Sequence, residues 1–242
     1  MKPLVNLIKL GRCGHAEAYK KQLYYHKKLV DDVQRSKVDT ESENRRHPNS
    51  LIIVEHNPVY TIGIRDKSYI DQDIETKLIE AGAEFVRTDR GGLITFHGPG
   101  QLVAYPILYL GDFDSKRSIA NHVHKLEDTI INMCHNIFEA RKFDEVEKLK
   151  IGTLKEHPGV WIDGQRKIAA IGVRASRYVT MHGIAINCDV DLSWFHHIVP
   201  CGIEGKEVTT LSKELNRPFT LNDTLPYFLN SFETVFNCSI KK

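Results

Sequence analysis

Cys201 stands between Pro200 and Gly202 in Ile198-Val-Pro-Cys-Gly-Ile-Glu-Gly205, a run that suits neither a regular helix nor a central strand. A thiol in such a loop is more accessible than Cys134, beside Met133 on a predicted helix, or Cys188, at the end of a predicted strand. The chemistry open to it is nucleophilic; the bland alternative is a small apolar residue in a turn. The reactive form is the thiolate, and an ordinary cysteine of pKa about 8.5 is mostly protonated at neutral pH. A nucleophilic Cys201 therefore needs a cation or base nearby. Lys167 is the first candidate, because it opens the apolar strand Ile168-Ala-Ala-Ile171 and so starts at the edge of a buried surface. Burial would lower its own pKa and offer a neutral amine as proton acceptor, while the protonated form would stabilise a thiolate. A solvent-facing lysine at a strand end is the plain alternative. His97 and His182, next to Gly98 and Gly183, are rival bases, and either could instead be a structural hydrogen bonder.

A second constellation is Arg90, Gly91, Gly92, Leu93, Ile94, Thr95, Phe96 and His97, followed by Gly98-Pro-Gly100. Glycine lets backbone approach a ligand closely and frees its amide as a donor. An apolar alternating segment with a cation at one end and a titratable donor at the other suits a bound acyl or carbonyl compound. The same pattern also describes a hairpin with tight turns.

These residues need a scaffold, and 242 residues suffice for one large domain or two small ones. Hydrophobic residues make up 41% and charged ones 26%, ordinary for a globular protein. A net charge of +2 without a concentrated basic patch argues against nucleic-acid binding. The pairs Lys20-Lys21 and Lys27-Lys28 suit a solvated helix face or a docking face for an acidic partner. Five widely spaced cysteines without a C-x-x-C pair point to free thiols in a reducing compartment, not to a disulfide framework or zinc site. No apolar run approaches the ~20 residues of a membrane span. Met1–Ala16 is basic, which fits a mitochondrial address, but Leu4–Ile8 reads equally well as a first strand.

Periodicity predicts a helix over His15–Val33, then a polar, exposed and mobile insertion over Asp31–Ser50 within a single domain. Strands follow at Leu51–Glu55, Val59–Ile62, Glu84–Thr88, Leu93–Phe96 and Gln101–Leu110, with Pro106 placing the last near an edge or bulge. Short and long helices are predicted over Asp71–Ala81 and Ser118–Phe138. His122 and His124, two apart on the latter, do not share a face and make a poor metal pair. Strands return at Val160–Asp163, Lys167–Val173 and Tyr178–Cys188, the last two joined by a basic link, Arg174–Arg177. A capping-box pattern at Thr220-x-x-Asp223 starts a C-terminal helix. The order predicts an α+β fold with a mixed, largely antiparallel sheet and packed helices.

Taken together, Arg90–Gly100 with Gln101-Leu102, Gly164-x-x-Lys167-Ile-Ala-x-Ile-Gly172, His182-Gly-Ile-Ala-Ile-Asn187 and Ile198-Val-Pro-Cys201-Gly-Ile203 resemble the four signatures of the lipoyl(octanoyl) transferases. The resemblance runs from about residue 4 to Thr209–Lys213 and is similar in wording to the animal mitochondrial form, including Trp194-Phe195. It implies a fold like the catalytic domains of biotin and lipoate protein ligases. It implies that Cys201 is the nucleophile carrying an octanoyl thioester and that Lys167 lowers the thiol pKa and relays protons. Arg90–His97, together with Ala170, Ile171, Gly172, Gly183, Ile184 and Ala185, would line the acyl site. The implied donor is octanoyl acyl carrier protein. The implied acceptors are lipoyl domains, such as glycine cleavage H protein and the E2 subunits of 2-oxoacid dehydrogenases. No cofactor, nucleic acid or membrane is implied, and no phosphate-binding G-x-x-x-x-G-K-[ST] loop is found. An ATP-using ligase on the same fold, a non-catalytic carrier-protein adaptor and a cysteine hydrolase using His97 are the alternatives.

Overall fold

The computed structural model describes residues 2–36, 46–65, 72–141, 149–155, 157–198 and 205–242. The first half of the chain runs β1 (Leu4–Cys13), α1 (His15–Ser36), β2 (Asn49–His56), β3 (Val59–Ile62), α2 (Gln72–Glu80), β4 (Glu84–Arg87), β5 (Thr95–His97) and β6 (Gln101–Ile107). There follow α3 (Ile119–Ala140), β7 (Ile151–Leu154), β8 (His157–Ile162), β9 (Arg166–Ser176), β10 (Val179–Asn187) and a 3₁₀ turn at Leu192–His197. The chain ends with β11 (Glu207–Val208), α4 (Leu211–Leu215), α5 (Leu221–Phe236) and β12 (Ser239–Lys241).

The main sheet has the order β12-β1-β2-β6-β10-β9-β8-β7, with β11 added beside β9. Strand β1 is parallel to β2 and β12, β11 is parallel to β9, and the remaining ladders are antiparallel. A small second sheet has the order β4-β3-β5. This is the mixed, largely antiparallel α+β architecture expected.

Alternation along the strands gives the main sheet two apolar faces. Ile52, Val54, Val103, Tyr105 and Ala185 meet α1 through Ala18, Leu29, Val30 and Val33. Their neighbours Leu51, Ile53, Leu102, Ala104, Ile184 and Ile186 meet α3 and α5 through Leu126, Ile130, Met133, Phe228 and Phe232. The capping box at Thr220 is formed as the sequence suggests. Cys13, Cys134, Cys188 and Cys238 are buried.

Four expectations need correction. The stretch Asp31–Ser50 is not an exposed insertion throughout. Helix α1 continues to Ser36, Asp32 is buried against His47 at 3.0 Å, and Asn49 and Ser50 are buried at the start of β2. Residues 37–45 lie outside the described residues. Second, Pro106 is not at an edge, since β6 runs between β2 and β10. Its missing N–H falls where the β6–β10 ladder stops at Ala104–Ile184 and His182 turns aside at φ 57°. Third, Arg174–Arg177 is not a separate link. Strand β9 continues to Ser176 and turns directly into β10 through Arg177 and Tyr178, both at positive φ, although neither is glycine. Fourth, Leu93 and Ile94 are not strand, because the backbone leading to them is drawn around the Arg90 side chain. The turn between β8 and β9 matches the sequence signal: Asp163 and Gly164 both have positive φ, and Gln165 N–H donates to the Ile162 carbonyl at 3.0 Å.

Candidate active site

A cavity of about 510 Å³ is lined by residues of both sheets, the start of α1 and the first turns of α3. Lys167, Arg90, Gly91, Gly92, Leu93, Thr95, His97, Ala170, Ile171, Gly172, Gly183, Ile184 and Ala185 all line it. Ile94 and Phe96 do not. Successive residues of extended backbone point to opposite faces, so these two are buried instead with Tyr60, Val190 and Trp194. Phe96 stacks on Trp194 with ring centroids 5.0 Å apart. The expected apolar wall Leu93–Phe96 thus reduces to Leu93 and Thr95, and Val103, Ile171, Val173 and Ile184 are among the other apolar residues that line the cavity.

Lys167 sits near the start of β9 and is 5% exposed. Its Nζ lies 4.8 Å from the centroid of the Trp161 ring, a separation at which a cation is attracted to the aromatic face. Gly159 makes room for it: a Cβ there would come within 3.1 Å of Lys167 Cε and 2.4 Å of the Ala169 carbonyl oxygen. Strand β11 pairs with this end of β9, Val208 opposite Lys167, and Thr209 N–H donates to the Lys167 carbonyl at 2.9 Å. Residues 199–204, Cys201 among them, lie outside the described residues. Their described flanks are Ile198, buried with Phe195, and Gly205, which leads into β11.

Arg90 organises the glycine segment. Its guanidinium donates to the Thr61 carbonyl (2.6 Å), the Leu93 carbonyl (2.9 Å), the Gly91 carbonyl (3.0 Å) and Thr61 Oγ1 (2.9 Å). Residues 91–93 wrap around the cation, which is why regular strand begins only at Thr95. From Thr61 a directed chain of hydrogen bonds continues. Thr61 Oγ1 already accepts from Arg90, so its own proton goes to His97 Nε2 at 3.2 Å. His97 Nδ1–H then donates to Gln101 Oε1 at 2.8 Å. Gln101 Nε2 donates to Asn187 Oδ1 at 2.9 Å, and Asn187 Nδ2 to the Thr209 carbonyl at 3.0 Å. The His97 tautomer is assigned from this network. Burial, then the nearby His56 and Arg90, hold the His97 pKa well below its ordinary value. Both its ring nitrogens are engaged within the protein.

Beside this network lie histidines that sequence reading did not single out, apart from His182: His15 and His182 line the cavity, and His56 is buried behind them with its ring 6.0 Å from that of His97. His56 Nδ1–H donates to the Cys13 carbonyl at 3.3 Å, so Nε2 accepts from Tyr105 O–H at 2.7 Å. His182 donates its backbone N–H to Gln22 Oε1 (2.9 Å), and its Nε2 meets Asp89 Oδ1 at 2.8 Å. Burial lowers the His182 pKa against the opposing pull of Asp89. Asp89 is held below the carboxylate range: burial raises it, but His182 and Arg174 outweigh that. His15, 5% exposed, stacks on Tyr19 and tilts against His56 at 5.8 Å. Burial lowers both His15 and His56 to about 4, with His56 and His182 adding to the effect on His15. The signal for His15 and His56 was weak in the sequence, because each is a lone histidine at the boundary of an element.

His122 is buried on α3 and His124 is exposed on another face. Among the described residues no group of three or more His, Cys, Asp or Glu is arranged to hold a metal ion. No described helix is long and apolar enough to cross a membrane.

Residues 20–233 match the lipoyl protein ligase A/B catalytic domain family. The chain is 44% identical over 239 residues to the mitochondrial octanoyl-[acyl-carrier-protein]:protein N-octanoyltransferase of Danio rerio, covering 99% of this chain and 95% of that protein. The corresponding Homo sapiens protein is 38% identical, with 98% and 96% covered. Among solved structures, lipoate-protein ligase A bound with ATP superposes with a TM-score of 0.63 at 14% identity, covering all of this chain and 88% of that one. The lipoate protein ligase of an archaeal lipoylation system from Thermoplasma acidophilum gives the same TM-score at 12% identity, with 100% and 86% covered. Likeness at this identity speaks to the fold, and the fold is the one the motifs implied. The chain belongs to the lipoyl protein ligase A/B catalytic domain family, and with its octanoyltransferase relatives it is a mitochondrial acyltransferase.

Proposed function

We propose that the chain transfers an octanoyl group from octanoyl acyl carrier protein to the lysine amine of lipoyl domains, through a thioester on Cys201. The Cys201 thiolate adds to the thioester carbonyl, the new C–S bond forms, and the bond to the pantetheine sulfur breaks. The pantetheine thiolate leaves and takes up a proton. In the second half-reaction the acceptor ε-amine adds to the acyl-enzyme, a C–N bond forms and Cys201 leaves as thiolate. The amine proton passes to a base, and Lys167 is that base. Thioester-to-amide transfer runs downhill, so no nucleotide is required, and two half-reactions imply ping-pong kinetics. The acyl chain would lie against Val103, Ile171, Val173 and Ile184, each buried CH₂ contributing about 0.8 kcal/mol. Glycine cleavage H protein and 2-oxoacid dehydrogenase E2 subunits are the acceptors the reading implies.

The observation that carries this reading is the corner at Lys167. Its buried side chain lines the cavity, and β11 beside it is the continuation of the cysteine segment. The described chain leaves that segment at Ile198 and resumes at Gly205, which leads into β11 beside Lys167. The test is incubation with octanoyl acyl carrier protein followed by intact-mass measurement. A single octanoyl adduct is expected on the wild type, labile to hydroxylamine and absent from Cys201→Ser. Transfer to an apo lipoyl domain should be indifferent to ATP. An ATP requirement with no adduct would instead indicate a ligase, and no adduct with no transfer a carrier-protein adaptor.

A further inference from the structure

Helix α3 packs into the core through Leu126, Ile130, Met133 and Ile137, yet Glu127 on the same helix is only 5% exposed. A buried carboxylate costs free energy unless it is partnered, and both of its oxygens are. Oε2 meets Nδ1 of His124 at 3.2 Å, on the cavity rim, where the His124 side chain is 72% exposed. A pair so open to solvent on one side contributes little. Oε1 accepts from the buried Gly159 N–H at 3.1 Å. That bond ties α3 to β8 where both neighbouring ladders are irregular. The β7–β8 register shifts between Gly152 and Leu154, and the β8–β9 register between Val160 and Trp161.

Strand β8 is also what Lys167 lies against. Gly159 meets the lysine stem, close enough that a Cβ there would come within 3.1 Å of Cε, and Trp161 lies 4.8 Å from Nζ. Trp161 is itself tied down, its Nε1–H donating to the His157 carbonyl at 3.2 Å.

We propose that Glu127 is a positioning residue for Lys167: by taking the Gly159 N–H it fixes the β8 backbone against the lysine stem and so holds the amine at its place in the cavity. The inference rests on the acyl-transfer reading for what the amine does there, but not for where it lies. Without the carboxylate, a buried N–H loses its partner in an irregular strand, and β8 shifts to find another. The lysine stem shifts with it. A misplacement of about 1 Å is enough to cost on the order of 10²-fold in rate.

Two measurements test it. In the first, folded Glu127→Ala should lose on the order of 10²-fold in kcat for octanoyl transfer, with KM for octanoyl acyl carrier protein unchanged. Glu127→Gln, whose amide oxygen can accept the same N–H, should restore kcat to within a few-fold of wild type. An unchanged kcat in Glu127→Ala, or an equal loss in both variants, overturns the proposal. Glu127→Met fills the space without an acceptor and is read in the same way if the truncated variant does not fold. The second measurement needs no substrate. The chain has two tryptophans, so the Trp161 indole N–H resonance is assigned by comparison with Trp194→Phe. Lys167→Met should move that resonance by removing the group beside the ring. Glu127→Ala should move it in the same direction, and Glu127→Gln should leave it in place. A Trp161 resonance unchanged in Glu127→Ala overturns the proposal. Failure of acyl transfer reads differently: no octanoyl adduct on Cys201, with the Trp161 resonance still dependent on Glu127.

Discussion

Two neighbouring groups of buried, nitrogen-rich side chains line the cavity, yet they are built on opposite terms. In one, Arg90, Thr61 and His97 are engaged in one directed chain that reaches Thr209 beside Lys167. In the other, linked to His97 through His56 at ring spacings of 6.0 and 5.8 Å, the His15 ring has no hydrogen-bond partner among the described residues. A satisfied network fixes geometry, because each member loses a partner if its neighbour moves. An unpartnered buried group is costly unless a ligand completes it. The contrast separates residues that hold the site in shape from a residue that the network does not hold.

The contrast can be broken most sharply at Lys167. Lys167→Met keeps the length and apolar stem of the side chain but removes the proton acceptor. Octanoyl transfer should fall by about 10²–10⁴-fold while the protein stays folded by circular dichroism; turnover within a factor of a few of wild type would remove Lys167 from the mechanism. Next in size is the polar chain. Thr61→Val deprives both Arg90 and His97 of a partner and should cost about 1–3 kcal/mol of stability, measured by urea unfolding, without altering the order of preference among acyl chains. A changed chain-length order would mean that the network contacts the tail.

The histidine group should show itself in the pH dependence of stability. His15 and His56 are lowered to about 4 in the folded protein, against about 6.5 unfolded. A depressed histidine favours the neutral form, so the unfolded chain binds more protons between these values. The fold is therefore unaffected above pH 6.5 and weakens as pH falls from 6.5 through 4, by up to about 1.4 kcal/mol per pH unit for each histidine. Urea midpoints that stay flat over that window would contradict the buried, neutral cluster. The smallest effect belongs to the rim: His124→Ala, at an exposed position, should change stability by no more than about 0.5 kcal/mol.

Lys167, the glycine segment and the β8–β9 hairpin were legible in the sequence because their signals are local. A lysine opening an apolar strand, glycines at close approaches and an Asp-Gly hairpin turn are each decided within a few residues. So were the α+β class, the strands over β6 and β10 and the capping box at Thr220. The tertiary structure decided what depends on partners far along the chain. Asp32 belongs to a helix and not to an insertion, buried where His47 meets its carboxylate. Leu93 and Ile94 leave the strand because Arg90 is held by the Leu93 carbonyl and by Thr61, 29 residues away. Ile94 and Phe96 turn from the cavity because the ring of Trp194 waits on their other face. His15, His56 and His182 become one polar group only when three elements converge, since burial and the spacing of rings are properties of packing and not of residue order.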